Sequence, residues 1–230
     1  MQGFKKVLNE DRNTHLEHLE DEIINNGTSG AKTSIEFLKS IKKMLQGGKG
    51  GSTVSVKWDG APAIFAGINP ENGKFFVGTK GVFAKNAKLN YTDKDIDNNH
   101  PAEGLNKKLK VALRYLPKLG IKGVLQGDMM FSKSDLKKET IDGEKYITFQ
   151  PNTIVYAVPA NSDLADKIKA AKIGVMFHTQ YTGSSFETMK ASYGFDSRTL
   201  KKTPSVWFSD TYIRDLSGKA TLTATETNQL

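Results

Sequence analysis

The chain has 230 residues, of which 37% are apolar and 25% charged, as is typical of a globular protein with room for one large domain or two small ones. It contains no cysteine, so a disulfide framework and a thiolate zinc site are excluded. A net charge of +8 favours polyanionic partners such as nucleic acids or nucleotides, although solubility alone would also explain it.

The chain shows no sign of a membrane or secretory destination. No apolar run approaches the roughly 20 residues that a membrane helix needs. The first residues also lack the apolar core of a signal peptide. We therefore expect no membrane partner and a cytoplasmic location, which includes the cytoplasm of an infected host.

The first part of the chain predicts a helical hairpin over residues 1–51. Apolar side chains at helical spacing favour one helix over residues 12–26. A second helix can begin at a cap formed by Thr28 or Ser29 and carry an apolar stripe over residues 35–45. The glycine-rich stretch that follows is expected to be a flexible break.

The remaining sequence predicts an α+β body over residues 52–216 and a loose or truncated polar tail over residues 217–230. Helical spacing favours a helix from Leu105 to Leu116, and Asp142-Gly143 is typical of a hairpin turn. Residues 84–103 are polar and are expected to form a loop. Apolar and β-branched runs predict strands over residues 53–58, 62–68, 74–80, 122–131, 145–149, 152–158 and 172–179.

The most informative stretch is Lys57-Trp58-Asp59-Gly60, which lies between two apolar runs. A lysine between two predicted strands needs an explanation, because burying an unpaired ammonium is costly. One explanation is that Lys57 is a nucleophile, since a neutral lysine amine can attack an electrophile. The alternative is a β-turn with an exposed lysine.

This stretch resembles the K-x-D-G motif of the covalent nucleotidyltransferases, which include DNA ligases, RNA ligases and mRNA capping enzymes. In those enzymes the lysine attacks the α-phosphate of a nucleotide and holds it as a phosphoramidate. The resemblance implies that Lys57 is catalytic and that Val56, Asp59 and Gly60 contact the nucleotide. It also implies an α+β nucleotidyltransferase (ATP-grasp-like ligase adenylation) domain of twisted antiparallel sheets with flanking helices, placed after the hairpin.

Three later residues resemble further motifs of the same family, in the same order. Lys80 matches a basic residue that works near the ribose and the phosphates. Asp128 matches a carboxylate that binds the ribose or the catalytic metal, and Tyr156 matches an aromatic residue stacked on the purine. Each also has a plainer explanation: a solvated lysine, a partner for a nearby lysine, and a core aromatic residue.

Two family motifs have no good match. A Glu-Gly-apolar strand should supply a metal-binding acid, but residues 172–177 place Ile173 where the glutamate should be. A Lys-x-Lys strand should contact phosphates, but Lys201-Lys202 lies in poor strand context. The resemblance therefore covers residues 53–158 well and the rest poorly.

The leading hypothesis is an ATP-dependent DNA or RNA ligase-like nucleotidyltransferase, of a kind that a phage could encode for DNA repair or RNA ligation. It would form lysyl-AMP at Lys57, use ATP and Mg²⁺, hold the metal with Asp128 and act on nucleic acid. Asp59 is expected to face the ribose, the backbone of the turn or a metal-bound water. The alternatives are a catalytically impaired module that binds nucleotide or nucleic acid, and a virion or assembly protein with a chance motif.

Overall fold

The computed structural model describes residues 19–45 and 55–212, together with the single residues 223, 225 and 229. The predictions for residues 12–18 and for the glycine-rich break lie outside these described residues, as does most of the predicted tail. The described chain divides into two compact units, one containing the helical residues 19–45 and the other Ser55–Tyr212. No helix in these residues is long and apolar enough to cross a bilayer.

Helix α1 spans Leu19–Leu45 and is interrupted at Gly27, whose φ of 54° and ψ of −130° are not helical. The Ser34 hydroxyl donates a hydrogen bond to the carbonyl of Leu19 at 3.3 Å. In one straight helix these residues would lie about 22 Å apart, so the two helical segments lie side by side. Gly30 permits this approach, because a Cβ there would lie 1.9 Å from the carbonyl oxygen of Glu22.

The larger unit contains three further helices and nine strands. The helices are α2 (Asp93–Asn99), α3 (Glu103–Tyr115) and α4 (Asp163–Ala170). The strands are β1 (Ala63–Ile68), β2 (Phe75–Gly78), β3 (Val124–Ser132), β4 (Lys137–Ile141), β5 (Glu144–Phe149), β6 (Tyr156–Pro159), β7 (Ile173–Thr182), β8 (Lys190–Tyr193) and β9 (Val206–Asp210).

These strands form a six-stranded sheet and a three-stranded sheet. The large sheet has the order β2-β1-β3-β7-β8, and its neighbours on this path are antiparallel. The outer edge of β7 is shared, because β9 pairs in parallel with its first half and β8 pairs with its second half. The small sheet has the antiparallel order β4-β5-β6.

Alternating side chains of the large sheet contribute to apolar clusters on both of its faces. Val175 and Phe177 in β7 join the cluster that includes the buried side of α3. Met176, between them, joins the cluster that contains buried residues of the small sheet and α4. Asp128 pairs in register with Met176 and lies two residues before Met130 of the same cluster. The period of two in a strand therefore places Asp128 on the face opposite α3.

The structure confirms a mixed α+β architecture, and most predicted strands are present with small shifts at their ends. The Asp142-Gly143 turn joins β4 to β5, with positive φ values of 50° and 83°. Helix α3 covers the helix predicted from Leu105 to Leu116. A purely antiparallel arrangement was wrong, because β9 lies parallel to β7.

Three other predictions were wrong in detail. Within the described part of the predicted strand 53–58, only Ser55 forms a β-bridge, with Tyr212, and the residues after it are irregular. Residues 84–103 are not all loop, because they contain α2, which begins at a capping box between Thr92 and Asp95. The predicted strand 152–158 is shortened to β6, since the preceding loop is held by other contacts, described below.

Two glycine-to-alanine substitutions test the packing of the large sheet. A Cβ at Gly174 would lie 2.2 Å from the ring of Phe131, which is fully buried, so Gly174→Ala should lower the free energy of unfolding by about 1–3 kcal/mol. Gly104→Ala is the matched control, because a Cβ there meets no atom within 4 Å on α3. It should raise stability by up to about 1 kcal/mol. Urea unfolding measures both, and equal effects would contradict this packing.

Candidate functional site

The segment that carries Lys57 lies against the face of the large sheet opposite α3, between the end of β9 and the start of β1, and is anchored on both sides. Before Lys57, the backbone N–H of Val56 donates to the carbonyl of Thr211 at 2.8 Å. After it, the N–H of Ala61 donates to the carbonyl of Met129 in β3 at 3.0 Å. The stretch from Lys57 to Gly60 is therefore irregular in conformation but fixed at its ends.

Gly60 brings this segment directly against β3. A Cβ at Gly60 would lie 2.5 Å from the Cβ of Asp128 and 3.0 Å from the sulfur of Met130. A side chain at position 60 would therefore push the segment away from the strand. The glycine of the motif is explained by this close approach to Asp128.

The carboxylate of Asp59 binds a loop of the small sheet. It accepts hydrogen bonds from the backbone N–H of Ile154 at 2.9 Å, the side-chain amide of Asn152 at 2.7 Å and the N–H of Thr153 at 2.8 Å. These bonds, with that from Ile154 the largest contribution, lower the pKa of Asp59, and the charge of Lys57 acts in the same direction. The carboxylate of Asp59 is thus directed to the loop of the small sheet, and its expected contact with a ribose or a metal-bound water stays a prediction.

Tyr156 supports the same segment. Its hydroxyl accepts a hydrogen bond from the N–H of Asp59 at 2.8 Å. Its ring lies 5.5 Å from the ring of Trp58 and is stacked at 5.4 Å on Phe149. These contacts join the small sheet to the Lys57 segment. Purine stacking by Tyr156 stays a prediction, and any such contact would have to use ring surface that these neighbours leave open.

Asp128 is the ionisable group at the centre of the site. Its side chain is 23% exposed, and burial raises its pKa to about 6. The negative charge of Asp59 raises this pKa further, whereas the positive charge of Lys57 opposes the rise. The three charges of Lys57, Asp59 and Asp128 thus interact with one another. Within residues 19–45 and 55–212, no hydrogen bond or ion pair engages the exposed ammonium of Lys57.

His178 belongs to this site and was not identified from the sequence. It is the extra residue of a β-bulge in β7, since Gln126 pairs with Thr179 and Gly127 with Phe177. Its Nε2 lies 3.8 Å from Oδ2 of Asp128, and burial lowers its pKa to about 4. His178 is therefore neutral at pH 7 and forms no ion pair there. A histidine directly after the apolar run of residues 173–177 was the signal that could have found it.

Lys80 follows strand β2 of the large sheet. Gly78 pairs with Phe65 in β1, and Ala63 of β1 pairs with Asp128, so the chain leaving β2 toward Lys80 runs toward the site. The Lys80 side chain is exposed. Across the described residues, no hydrogen bond or ion pair joins Lys80 to the other predicted site residues.

The site offers one carboxylate for a cation. The described residues contain no group of three or more His, Asp or Glu side chains that could hold a metal. The Asp59 carboxylate already accepts three hydrogen bonds, which leaves Asp128. Magnesium bound with a nucleotide commonly uses one or two carboxylates plus phosphate oxygens, so Asp128 fits that limited role.

The sequence profile of DUF6267, described as a family of unknown function, matches residues 13–230. The chain belongs to this family. No curated protein matches the chain, and no solved structure does. The match spans every residue of the site, from Val56 to His178.

In this DUF6267 chain, the hydrogen bonds to Asp59 predict that Asp59→Ala loosens the loop before β6. Asp59→Ala removes the acceptor for the N–H groups of Thr153 and Ile154, so both amides should exchange with solvent faster. Hydrogen exchange followed by mass spectrometry measures this. The amides of β7 serve as the internal control and should keep their protection. Unchanged exchange at residues 153 and 154 would contradict the role given to Asp59.

The raised pKa of Asp128 predicts that replacing its carboxyl group with an amide stabilises the protein. Its pKa rises from 3.8 to about 6, so keeping it charged at pH 7 costs at most about 3 kcal/mol of folding free energy. Asp128→Asn should therefore raise the free energy of unfolding at pH 7 by up to about 3 kcal/mol. Asp142→Asn, in the exposed hairpin turn, should change it by less than about 0.5 kcal/mol.

The pH dependence follows from the same shift. A raised native pKa means that the stability contributed by Asp128 is present below pH 3.8 and lost as the pH rises through about 6. The lowered pKa of His178 has the opposite effect, because its contribution is present above 6.5 and lost as the pH falls toward about 4. The advantage of Asp128→Asn should thus shrink toward zero between pH 7 and pH 4. An advantage that does not change with pH would contradict the shift.

Proposed function

We propose that this protein is an ATP-dependent, polynucleotide-ligase-like nucleotidyltransferase that forms a lysyl-AMP intermediate at Lys57. One observation carries the proposal: the exposed ammonium of Lys57 lies on an anchored segment whose Gly60 packs against Asp128. The motif resemblance supplies the reaction class. Ionisable groups with strongly shifted pKa values are concentrated at functional sites, and Asp128 and His178 are both shifted here.

In the proposed step the neutral amine of Lys57 attacks the α-phosphorus of ATP. A P–N bond forms, the P–O bond to the β-phosphate breaks, and pyrophosphate leaves with the bonding electrons. One proton leaves the ammonium before the attack, and a second leaves the nitrogen as the P–N bond forms. Both pass to solvent, which reaches the exposed side chain. Asp59 and Tyr156 keep the backbone of the attacking residue in place through the contacts of the small sheet.

Asp128 is the residue that would hold magnesium in this reaction. It is ionised above about pH 6, which is the state that binds a cation. Magnesium would neutralise negative charge on the phosphates of ATP. His178, neutral at pH 7, leaves the charge of Asp128 available to the cation.

A second candidate is a module that binds nucleotide or nucleic acid without covalent chemistry. Two observations favour it. Ile173 stands where the covalent nucleotidyltransferases have a metal-binding glutamate. It is fully buried in the cluster beneath α3 and offers no acid. The polar groups of Asp59 and Tyr156 are also engaged within the protein. The Tyr156 hydroxyl accepts from the N–H of Asp59, and the Asp59 carboxylate accepts from the N–H of Ile154.

Covalent labelling tests the proposed reaction. Incubation with α-labelled ATP and Mg²⁺ should give a labelled protein that survives denaturing electrophoresis. Lys57→Ala and Lys57→Arg should both reduce the label by at least about 100-fold, because arginine keeps the charge but cannot be deprotonated. Lys74→Ala, in the exposed turn between β1 and β2, is the matched control and should keep the label.

The same experiment separates the two candidates. No label with ATP, GTP or NAD⁺ would contradict the covalent reaction. An increase in melting temperature with ATP, in the absence of label, would instead support the noncovalent module. Label that persists in both Lys57 variants would show that another residue is the nucleophile.

A further inference from the structure

A basic groove lies along α3, outside the site described above. It encloses about 1070 Å³ and is formed by α3, the chain just after β3 and the start of β7. We call it the α3 groove. Its lining includes six cationic side chains, namely Lys107, Lys108, Lys110, Arg114, Lys133 and Lys172. Asp93 and Asp135 are the acids in the same lining.

The cations of the α3 groove form a row. Lys107, Lys110 and Arg114 are spaced three and four residues apart, so they share one side of α3 and span about 10 Å along its axis. Lys133 and Lys172 come from the segments at the ends of β3 and β7. A linear ligand with repeated negative charge matches this arrangement better than a single small anion does.

Few of these charges are neutralised within the protein. Lys107 pairs with Glu103 in a largely exposed ion pair, and Lys110 pairs with Asp97 in a partly exposed one, where the side chains are 32% and 54% exposed. Such pairs exchange easily for other partners. Asp135 accepts hydrogen bonds from the backbone N–H and the hydroxyl of Ser132, so its carboxylate is directed to its own turn. The groove therefore keeps a positive surplus, which a polyanion would relieve.

The α3 groove reaches the segment that carries Lys57. Lys108 lines the groove, and its Nζ donates to the carbonyl of Ala61 at 3.3 Å. Ala61 is the residue that follows Gly60 and binds the backbone of β3. The groove and the Lys57 segment are thus joined by one side chain.

We propose that the α3 groove binds the phosphate backbone of a nucleic acid strand without reading its sequence. Regular phosphates provide the repeated charge that the row of cations fits, and the volume of the groove exceeds that of most small-molecule pockets. This binding needs no chemistry at Lys57. It therefore does not depend on the proposed function.

The test compares two variants of equal charge. Arg114→Glu with Lys172→Glu alters the groove, whereas Lys74→Glu with Lys190→Glu alters exposed lysines at the opposite ends of the strands. Each pair lowers the net charge of +8 by four. The probe is a fluorescein-labelled single-stranded DNA of mixed sequence, about 20 nucleotides long, measured by anisotropy at about 50 mM salt without ATP.

We expect the groove variant to bind at least about 10-fold more weakly than the unmodified chain. The slope of the logarithm of the binding constant against the logarithm of the salt concentration should become shallower by about 1.4, because two phosphate contacts are lost. The control pair should stay within about threefold. Arg114→Gln with Lys172→Gln should weaken binding in the same direction, and urea unfolding of every variant checks that the fold is kept.

Three results would overturn the proposal. These are absence of binding by the unmodified chain, equal losses in the groove and control pairs, and equally strong binding of poly-glutamate, which would indicate an acidic protein partner. The outcome of the labelling experiment is independent of the outcome of the DNA-binding experiment. Covalent label without DNA binding would leave the proposed function standing and remove the groove proposal, whereas DNA binding without label would do the reverse.

Discussion

The hydrogen bonds to the Asp59 carboxylate are the contact on which the candidate site depends. They tie the segment that carries Lys57 to the loop that leads into the small sheet. The carboxylate is ionised, so these are charge-assisted bonds, which are stronger than neutral ones. Tyr156 closes the same connection by accepting from the N–H of Asp59. The positions of Lys57 and Gly60 follow from this connection.

The four residues of the motif have separable tasks. Trp58 packs on Tyr156, Asp59 holds the loop of the small sheet, and Gly60 allows contact with Asp128. Folding therefore explains three of the four residue types. Lys57 is different, because within the described chain its ammonium makes no contact that folding requires. The role offered for the lysine is therefore the proposed chemistry and not a folding contact.

Local signals in the sequence predicted local structure well. The Asp142-Gly143 turn and the periodicity of α3 depend on nearby residues, and both are present. Helix α2 was missed because its seven residues contain one buried apolar side chain, Ile96, so periodicity gave no signal. Of the strand predicted over residues 53–58, the described part keeps only the bridge from Ser55 to Tyr212, because β-branched residues favour a strand only as far as a neighbouring strand pairs with them. His178 and the α3 groove depend on a bulge and on distant segments, which no single stretch of sequence reveals.

The bond from Val56 to Thr211 has a consequence for how the site is made. The Lys57 segment is synthesised early in the larger unit, but its backbone acceptor follows β9, the last strand of the large sheet. Contacts this distant along the chain form late, because a long loop must close first. A chain still emerging from the ribosome can fold the Asp142-Gly143 hairpin, but it lacks the acceptor for Val56. The site can therefore assemble only after the whole unit, through Tyr212, has been synthesised.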